Sequence, residues 1–419
     1  MKETSPVYGA DFIGQSTRRV DGQTYGAFKG CRLSSVYQPI FSLAHKRIVG
    51  YEALIRAENS QNQAIRPDEL FRPEESLSDI VLLDRLCRYI HIDNFQAFGD
   101  RINWLFLNVS PQTIIHGKEF GSFFGSVLER FDLPSYRVII EIVEYPISGA
   151  DNIRLIETVK YYHELGCLIA IDDFGAGYSN FDRIWTLKPD IVKLDRSMLL
   201  RATDRKNIRQ LLPGIVSLLH QAGSLVIIEG IETEEQAIIA LESDADMVQG
   251  YFFARPHHDL SELSGVTPPF KSLFESYKAS EALRGKEFQH TYHRYHKPFQ
   301  TAVILLKTGH SLVDSSKPLF EDDSIIRCYL LEPSGLQIGY TVTSQVHADK
   351  VDLRFKPLED AKSADWFRRH YLRRAIMHPG QLQITRPYLS ITGAHMCSTL
   401  SMMIHTSSGD IILCCDLKL

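Results

Sequence analysis

The stretch "AIDDFGAGYSNFDRIWTLKPDIVKLDR", Ala170–Arg196, decides the fold. An apolar run, Leu168–Ile171, stops at two adjacent aspartates, Asp172 and Asp173. A second run, Ile191–Val192, stops at Lys193 and Asp195. Strands that are apolar on both faces belong to a parallel sheet covered on both sides. Charged residues at the ends of two such strands pose the question of what gathers there.

Working outward from this stretch, short apolar runs recur over residues 32–256: "SVYQPIF", "IVGYEALI", "WLFLNVS", "VIIEIVE", "LIAIDDF", "IVKLD", "LVIIEG" and "MVQGYFF". Most segments between them carry helical apolar spacing. "NIRLIETVKYYHELG" ends at Gly166, and "NIRQLLPGIVSLLHQAG" ends at Gly223 despite an internal Pro213. Glycine after the last periodic residue is a helix stop. Eight strand–helix units in about 225 residues fit an α/β fold of the (β/α)8 TIM-like barrel type. One link differs, because only "SLAHKR" separates the first run from the second. A parallel crossover needs a dozen or more residues. The first two strands must therefore form a hairpin, which gives a barrel with an antiparallel first strand.

Composition narrows the class. Hydrophobic residues make up 44% and charged residues 23%, ordinary for a globular protein, and the net charge of −5 argues against a polyanion-binding surface. Seven cysteines (Cys31, Cys87, Cys167, Cys328, Cys397, Cys414 and Cys415) are odd in number and irregular in spacing. That reads as reduced thiols in a cytoplasmic protein. The start, "MKETSPVYGADFIGQSTRR", has no apolar core of a signal peptide, and no run reaches the ~18 apolar residues of a membrane helix.

The polar residues at the carboxyl ends of the runs are Glu52, Asn108, Glu141 with Glu144, Asp172 with Asp173, Lys193, Glu229 with Glu232, and Gln249. In a barrel these ends face one mouth, where active sites are built. A single Asp after a strand is usually a helix cap. At least five carboxylates (Glu52, Glu141, Asp172, Asp173 and Glu229) sharing one mouth are a different matter. Unpaired and partly buried, they would cost several kcal/mol each or take up protons. One lysine cannot offset them, whereas two divalent cations can. An all-oxygen set, with Asn108 supplying an amide oxygen, favours Mg2+ or Mn2+ over zinc. A two-metal site suits in-line displacement at phosphorus, so the residues point to metal-assisted phosphoester hydrolysis. A glycosidase barrel is the rival, but it needs only two carboxylates.

The motifs are recognisable as a set. "YEALIR", with Glu52-Ala53-Leu54, and in order "YQPI", "LNVS", "EIVE", "DDFGAGYSNF", "KPDIVKLD", "EGIET" and "QGYFFARP" resemble the bacterial EAL family of cyclic di-GMP phosphodiesterases over residues 30–260. The resemblance implies a barrel with an antiparallel first strand. It also implies hydrolysis of one phosphodiester bond of cyclic di-GMP to linear pGpG, with Mg2+ or Mn2+ as cofactor and Ca2+ as inhibitor. Position by position, it implies that Glu52, Asn108, Glu141 and Asp172 hold one metal, with Asp172 and Asp173 shared between two. Glu229 matches a carboxylate on metal or water and a general base. Lys193 matches the lysine that positions the attacking water, and Gln249 bonds near that water. Gln38 and Arg56 match substrate contacts, Arg56 to phosphate. Glu144 and Glu232 match residues anchoring the loop 174–179, which would couple a barrel homodimer to metal binding. The loop has Ala176 where the family often has Thr. Degenerate relatives that act only as cyclic di-GMP receptors lose the EAL glutamate, an Asp of the pair or the lysine. Here all are kept, which favours the enzyme over a binding module. No "GGDEF"-like stretch is present.

Beyond "ARPHHDLSEL" the pattern changes. The expected organisation is an N-terminal extension (1–29), the barrel (30–260), a helical linker (261–310) and a C-terminal α+β domain (311–419). In the last, "IIRCYLLEPSGLQIGYTV" and "MCSTLSMMIHTSSGDIILCCDLKL" read as hairpins and "SADWFRRHYLRRAIM" as a helix. "EPSGLQI", "TRPYLSITGAHMC" and "ILCCDL" look similar to PAS-like or Cache-type sensor domains. That resemblance would place Arg386, Tyr388 and Cys397 near a pocket for a small ligand. His290, His293 and His296 are read as a solvated helix face or a hinge. Cys414 and Cys415, adjacent in a strand, point to opposite faces and read as a buried reduced pair.

Overall fold

The computed structural model describes residues 8–72, 75–143, 149–177, 181–264, 268–348, 361, 364–390 and 396–418. The chain forms two compact units, residues 1–278 and 279–419.

The first unit is a closed barrel of eight strands: β1 (Cys31–Ser42), β2 (Arg47–Glu58), β3 (Trp104–Val109), β4 (Val138–Val143), β5 (Leu168–Phe174), β6 (Ile191–Leu194), β7 (Leu225–Ile228) and β8 (Met247–Val248). All eight expected runs are strands. β1 is antiparallel to β2 on one side and to β8 on the other, while the pairs from β2 round to β8 are parallel. The short link after Ser42 thus has the consequence expected of it. The helices cover the outside. Among them, α1 (Leu77–Ala97) is capped by Ser76, whose Oγ accepts the Asp79 N–H. Next, α2 (Ala150–Leu165) ends at Gly166 in the left-handed conformation, φ 91°. α3 (Lys206–Gln221) accommodates Pro213 and is followed by left-handed Gly223.

Side chains alternate along each strand, and one inward layer closes the barrel floor: Ile40, Phe106, Ile139, Ala170, Ile191, Ile227 and Met247. Phe106 fills so much of the centre that the facing position on β2 is Gly50, where a Cβ would stand 2.6 Å from Phe106 Cε2. Truncating such a residue to alanine costs about 3–5 kcal/mol.

Residues 8–28, to which the sequence reading gave no element, are folded onto the barrel. A hairpin, Thr17–Val20 with Gln23–Phe28, continues the sheet through β1, with Gly26 opposite Leu33. Its turn is Asp21-Gly22, both with positive φ. An Asp-Gly pair between strands is the strongest short hairpin signal, and it was there to be read.

In the second unit one antiparallel sheet runs in the order β10 (Gln337–Thr343), β9 (Ile325–Leu331), β14 (Gly409–Lys418), β13 (Met396–Thr406), β11 (Gln383–Ile384), and β12 (Tyr388–Leu389) also pairs with β13. Both expected hairpins form. The helix α4 (Phe270–Lys307) supplies Tyr295, Phe299, Ala302, Val303 and Leu306 to one face of this sheet, which also carries Cys328 and Cys415. The helix α5 (His370–Met377) covers the other, with Cys414. Cys414 and Cys415 are therefore on opposite faces, as expected, and all seven cysteines are free. The helix read from Ser363 starts only at His370. Before it, Trp366 is claimed by tertiary bonds: its N–H goes to Gly335 O and its Nε1 to Gln337 Oε1. Arg369 is the cap, at ψ 131°. His290 and His293 are exposed and His296 is half-buried. No helix among the described residues is long and apolar enough to cross a membrane.

Candidate active site

The site lies one layer above the barrel floor. Moving two residues along each strand from a floor residue reaches the polar residue of the same inward face. Gly50 leads to Glu52, Phe106 to Asn108, Ile139 to Glu141, Ala170 to Asp172, Ile191 to Lys193, Ile227 to Glu229 and Met247 to Gln249. On antiparallel β1 the step is backwards, from Ile40 to Gln38, which stands opposite Glu52. The period of two and the common strand direction thus bring residues more than 200 positions apart into one ring.

Lys193 is the hub. It is fully buried, and its Nζ stands 2.5 Å from Glu141 Oε1, 2.6 Å from Glu229 Oε1, 3.3 Å from Asp172 Oδ1 and 3.6 Å from Glu52 Oε2. Burial alone would lower its pKa, but Asp172, Glu141, Glu229 and Glu52 together raise it well above the usual lysine value. Burial pushes the carboxyls of Glu141 and Glu229 up, and neighbouring carboxylates add to the shift in each against the pull of Lys193. Asp173 rises to about 6, from burial first and then from Asp172. Glu52 is pinned from both sides: Asn108 Nδ2 donates to its Oε1 at 3.1 Å and Gln249 Nε2 to its Oε2 at 2.7 Å.

The close contacts do not satisfy the oxygens. Among the described residues, both carboxylate oxygens of Glu141, Oε1 of Glu229 and Nζ of Lys193 are buried without a partner in hydrogen-bond geometry. Asp172, Asp173 and Glu229 each bring a carboxylate oxygen within 4.8 Å of the others. Asp173 achieves this through a left-handed backbone, φ 57°, in which its N–H donates to Asp172 Oδ1 at 3.0 Å. Gly175 follows at φ 104°, where a side chain would collide with Met198. The turn after β5 therefore needs glycine for both conformation and space. A cluster of hard, under-satisfied oxygens of this kind fits a divalent cation such as Mg2+ or Mn2+.

Two hollows adjoin the cluster. One, about 450 Å3, is lined by Leu54, Arg56, Pro67, Phe71, Asn108 and Pro111 among others. The other, about 210 Å3, is lined by Gln38, Glu52, Arg196, Glu229, Gln249 and Tyr251 among others. Gln38 is buried, its Nε2 3.4 Å from Ala254 O. Arg56 is exposed four residues beyond Glu52 on the same face of β2, with Nη1 on Ile55 O. Glu232 pairs with Arg196 at 2.7 Å. Glu144 lies outside the described residues, as do Tyr178 and Ser179 of the loop. Sequence reading did not single out Arg196 or Tyr251. Arg196 stands one residue after the charged end of β6, and Tyr251 lies within the quoted "QGYFF".

Comparison with known proteins places this geometry. Residues 22–256 match the EAL domain. The chain is 29% identical over 238 residues to the cyclic di-GMP phosphodiesterase RocR of Pseudomonas aeruginosa, covering 55% of this chain and 59% of RocR. It thus spans about three-fifths of that relative's length. It is 27% identical over 319 residues to the EAL-domain-containing protein YkuI of Bacillus subtilis, covering 74% of this chain and 77% of YkuI. The crystal structure of YkuI in complex with substrate c-di-GMP and calcium superposes with a TM-score of 0.78 at 22% identity, over 92% of this chain and 96% of that one. The fold is shared along both units. This chain belongs to the EAL domain family.

Proposed function

We propose that this protein is a cyclic di-GMP phosphodiesterase that hydrolyses one phosphodiester bond to give linear pGpG, dependent on Mg2+ or Mn2+. The observation that carries the reading is the polar ring of Glu52, Asn108, Glu141, Asp172, Lys193, Glu229 and Gln249 in one layer of the barrel, with a carboxylate oxygen of Asp173 turned in beside Asp172 and Glu229. Relatives named cyclic di-GMP phosphodiesterases support it.

Glu52, Asn108, Glu141 and Asp172 would hold one cation, and Asp172, Asp173 and Glu229 a second. When bound, such ions neutralise developing charge on a phosphate and lower the pKa of a water. The protein's own groups do the rest. Lys193 Nζ is aimed at the centre of the ring, where it holds a water and balances negative charge. Glu229, its carboxyl raised by burial, takes the proton of the attacking water. Gln249 fixes Glu52 and bonds near that water. The two hollows give a two-lobed site for a dinucleotide, with Arg56 and Gln38 as its phosphate and base contacts. Glu144 and Glu232 anchor the loop after Asp173. The active form is a homodimer through the barrel, working in the cytoplasm. The second unit, of PAS/Cache-like type, is its sensor.

The test is turnover by the full chain of cyclic di-GMP with Mg2+, Mn2+ or Ca2+, read by chromatography, with Glu52→Ala as control and binding measured in parallel. Linear pGpG with Mg2+ or Mn2+, none with Ca2+ and none from the variant is the expected result. Binding without product under every condition would replace the enzyme by a receptor.

A further inference from the structure

The cavity of the second unit is about 20 Å3, room for about one water, and is lined by Tyr388 but by neither Arg386 nor Cys397. The hollow of about 210 Å3 in the barrel takes one purine ring system, though not a whole dinucleotide. Arg196 stands in its wall with Gln38, Glu52, Glu229 and Tyr251.

The backbone sets where Arg196 lies. Asp195 before it caps the helix Arg196–Asp204. Gly230 is beneath its stem: a Cβ on that glycine would stand 2.7, 2.6 and 2.8 Å from Arg196 Cβ, Cγ and Cδ. Three consecutive carbons at nearly one distance mean that the stem lies flat across the turn after β7, beside Glu229. At its far end, Nη2 is 2.7 Å from Glu232 Oε2. Glu232 is itself placed, because its N–H donates to Oε1 of buried Gln236 at 2.7 Å. Arg196 is thus held at both ends, although its side chain is 48% exposed. An ion pair this open adds little to stability, whereas a fixed guanidinium edge in a binding hollow serves a ligand.

Charge decides which ligand group it suits. Glu232 already matches the charge of Arg196, so the guanidinium offers donors without net attraction for a further anion. Glu52 and Glu229 in the same hollow repel one. The complement is a neutral group with two adjacent acceptors. Guanine presents O6 and N7 in that spacing, while adenine replaces O6 by an amino donor. Tyr251, with the Arg255 guanidinium 4.4 Å from its ring centre, supplies a flat apolar surface for a base.

We propose that Arg196 takes O6 and N7 of one guanine of the substrate and thereby sets a preference for guanine over adenine. The proposal rests on the cyclic dinucleotide reading above and adds the residue that selects the base.

The experiment is equilibrium binding by the full chain with Ca2+, with chromatography checking that the ligand stays intact. The probes are cyclic di-GMP, cyclic di-AMP and cyclic di-IMP, whose hypoxanthine keeps O6 and N7 and lacks the 2-amino group. Wild type should bind the guanine and hypoxanthine forms at least about tenfold tighter than the adenine form, the discrimination expected of one bidentate base contact. Arg196→Ala should weaken the first two about tenfold and leave the adenine form unchanged. Arg196→Lys, which keeps the charge and loses the fork, should not restore the ratio. Adenine bound as tightly as guanine by wild type, hypoxanthine bound as poorly as adenine, or an equal change for all three probes in the variants would each overturn the proposal. The first two need no variant. Wild type that binds none of the three would instead overturn the cyclic dinucleotide reading, and the proposal with it.

Discussion

Replacing Lys193 by methionine removes one ammonium and keeps a side chain of similar length. Without added metal, that ammonium stands within 3.6 Å of four carboxylates, two of them at 2.5 and 2.6 Å, and it is fully buried with Glu141. Breaking a buried pair by removing one partner costs about 3–5 kcal/mol. In a domain of this size that lowers the melting temperature by about 6–20 °C. The loss is eased by protonation, because burial already raises the carboxyls of Glu141 and Glu229. Without the lysine they rise further, so the variant's deficit should shrink as pH falls from 8 to 6. Saturating Mg2+ or Mn2+ should then stabilise the variant more than the wild type, since no internal cation competes for the oxygens. The assay is thermal melting of chelator-treated protein with and without metal. A metal-free variant melting within about 2 °C of wild type, a magnitude typical of surface substitutions, would refute the reasoning. So would equal metal-induced shifts.

Gly250→Ala should cost several kcal/mol and disturb Gln249, because the new Cβ would collide with the backbone of Ile231; denaturant melting measures the first and the affinity for metal the second. Asp84→Asn removes a buried partner that holds Arg88 at 2.6 Å and the Ser110 N–H at 2.7 Å. A loss of about 3–5 kcal/mol in urea unfolding is expected, and a change below about 1 kcal/mol would contradict it. His91 is buried against Ser35, its pKa lowered from 6.5 to about 3 by burial first and then by Arg56. The folded state stays neutral while the unfolded chain takes a proton, so this stability is present above pH 6.5 and lost as pH falls toward 3. One group contributes about 1.4 kcal/mol per pH unit. His91→Asn should therefore lose about 2 kcal/mol less than wild type between pH 6.5 and 5, and parallel profiles would count against it.

Much of this molecule is local and was legible. Strand alternation fixes that Glu52, Asn108, Glu141, Asp172, Lys193, Glu229 and Gln249 share the inward face with the floor residue two places before them. The short link after Ser42 determines the antiparallel first strand, because chain length limits a crossover. The hairpin at Asp21-Gly22 was equally local and went unread, its signal being a single dipeptide.

Other features exist only once the barrel closes. That Lys193 touches four carboxylates and Asn108 and Gln249 grip Glu52 depends on strand stagger, which no single run records. The late start of α5 is likewise tertiary: helical spacing runs through Trp366, but bonds to Gly335 and Gln337 outbid the helix there. The pairing of Arg327 with Asp416 is of the same kind, since whether an arginine finds a carboxylate depends on which strands lie side by side. Sequence by itself determined which residues face inward and at which strand ends, because those follow from a fixed backbone period. Tertiary structure alone decided which charges meet, because electrostatic pairing falls off over a few ångströms and depends on distances that only the closed sheet sets.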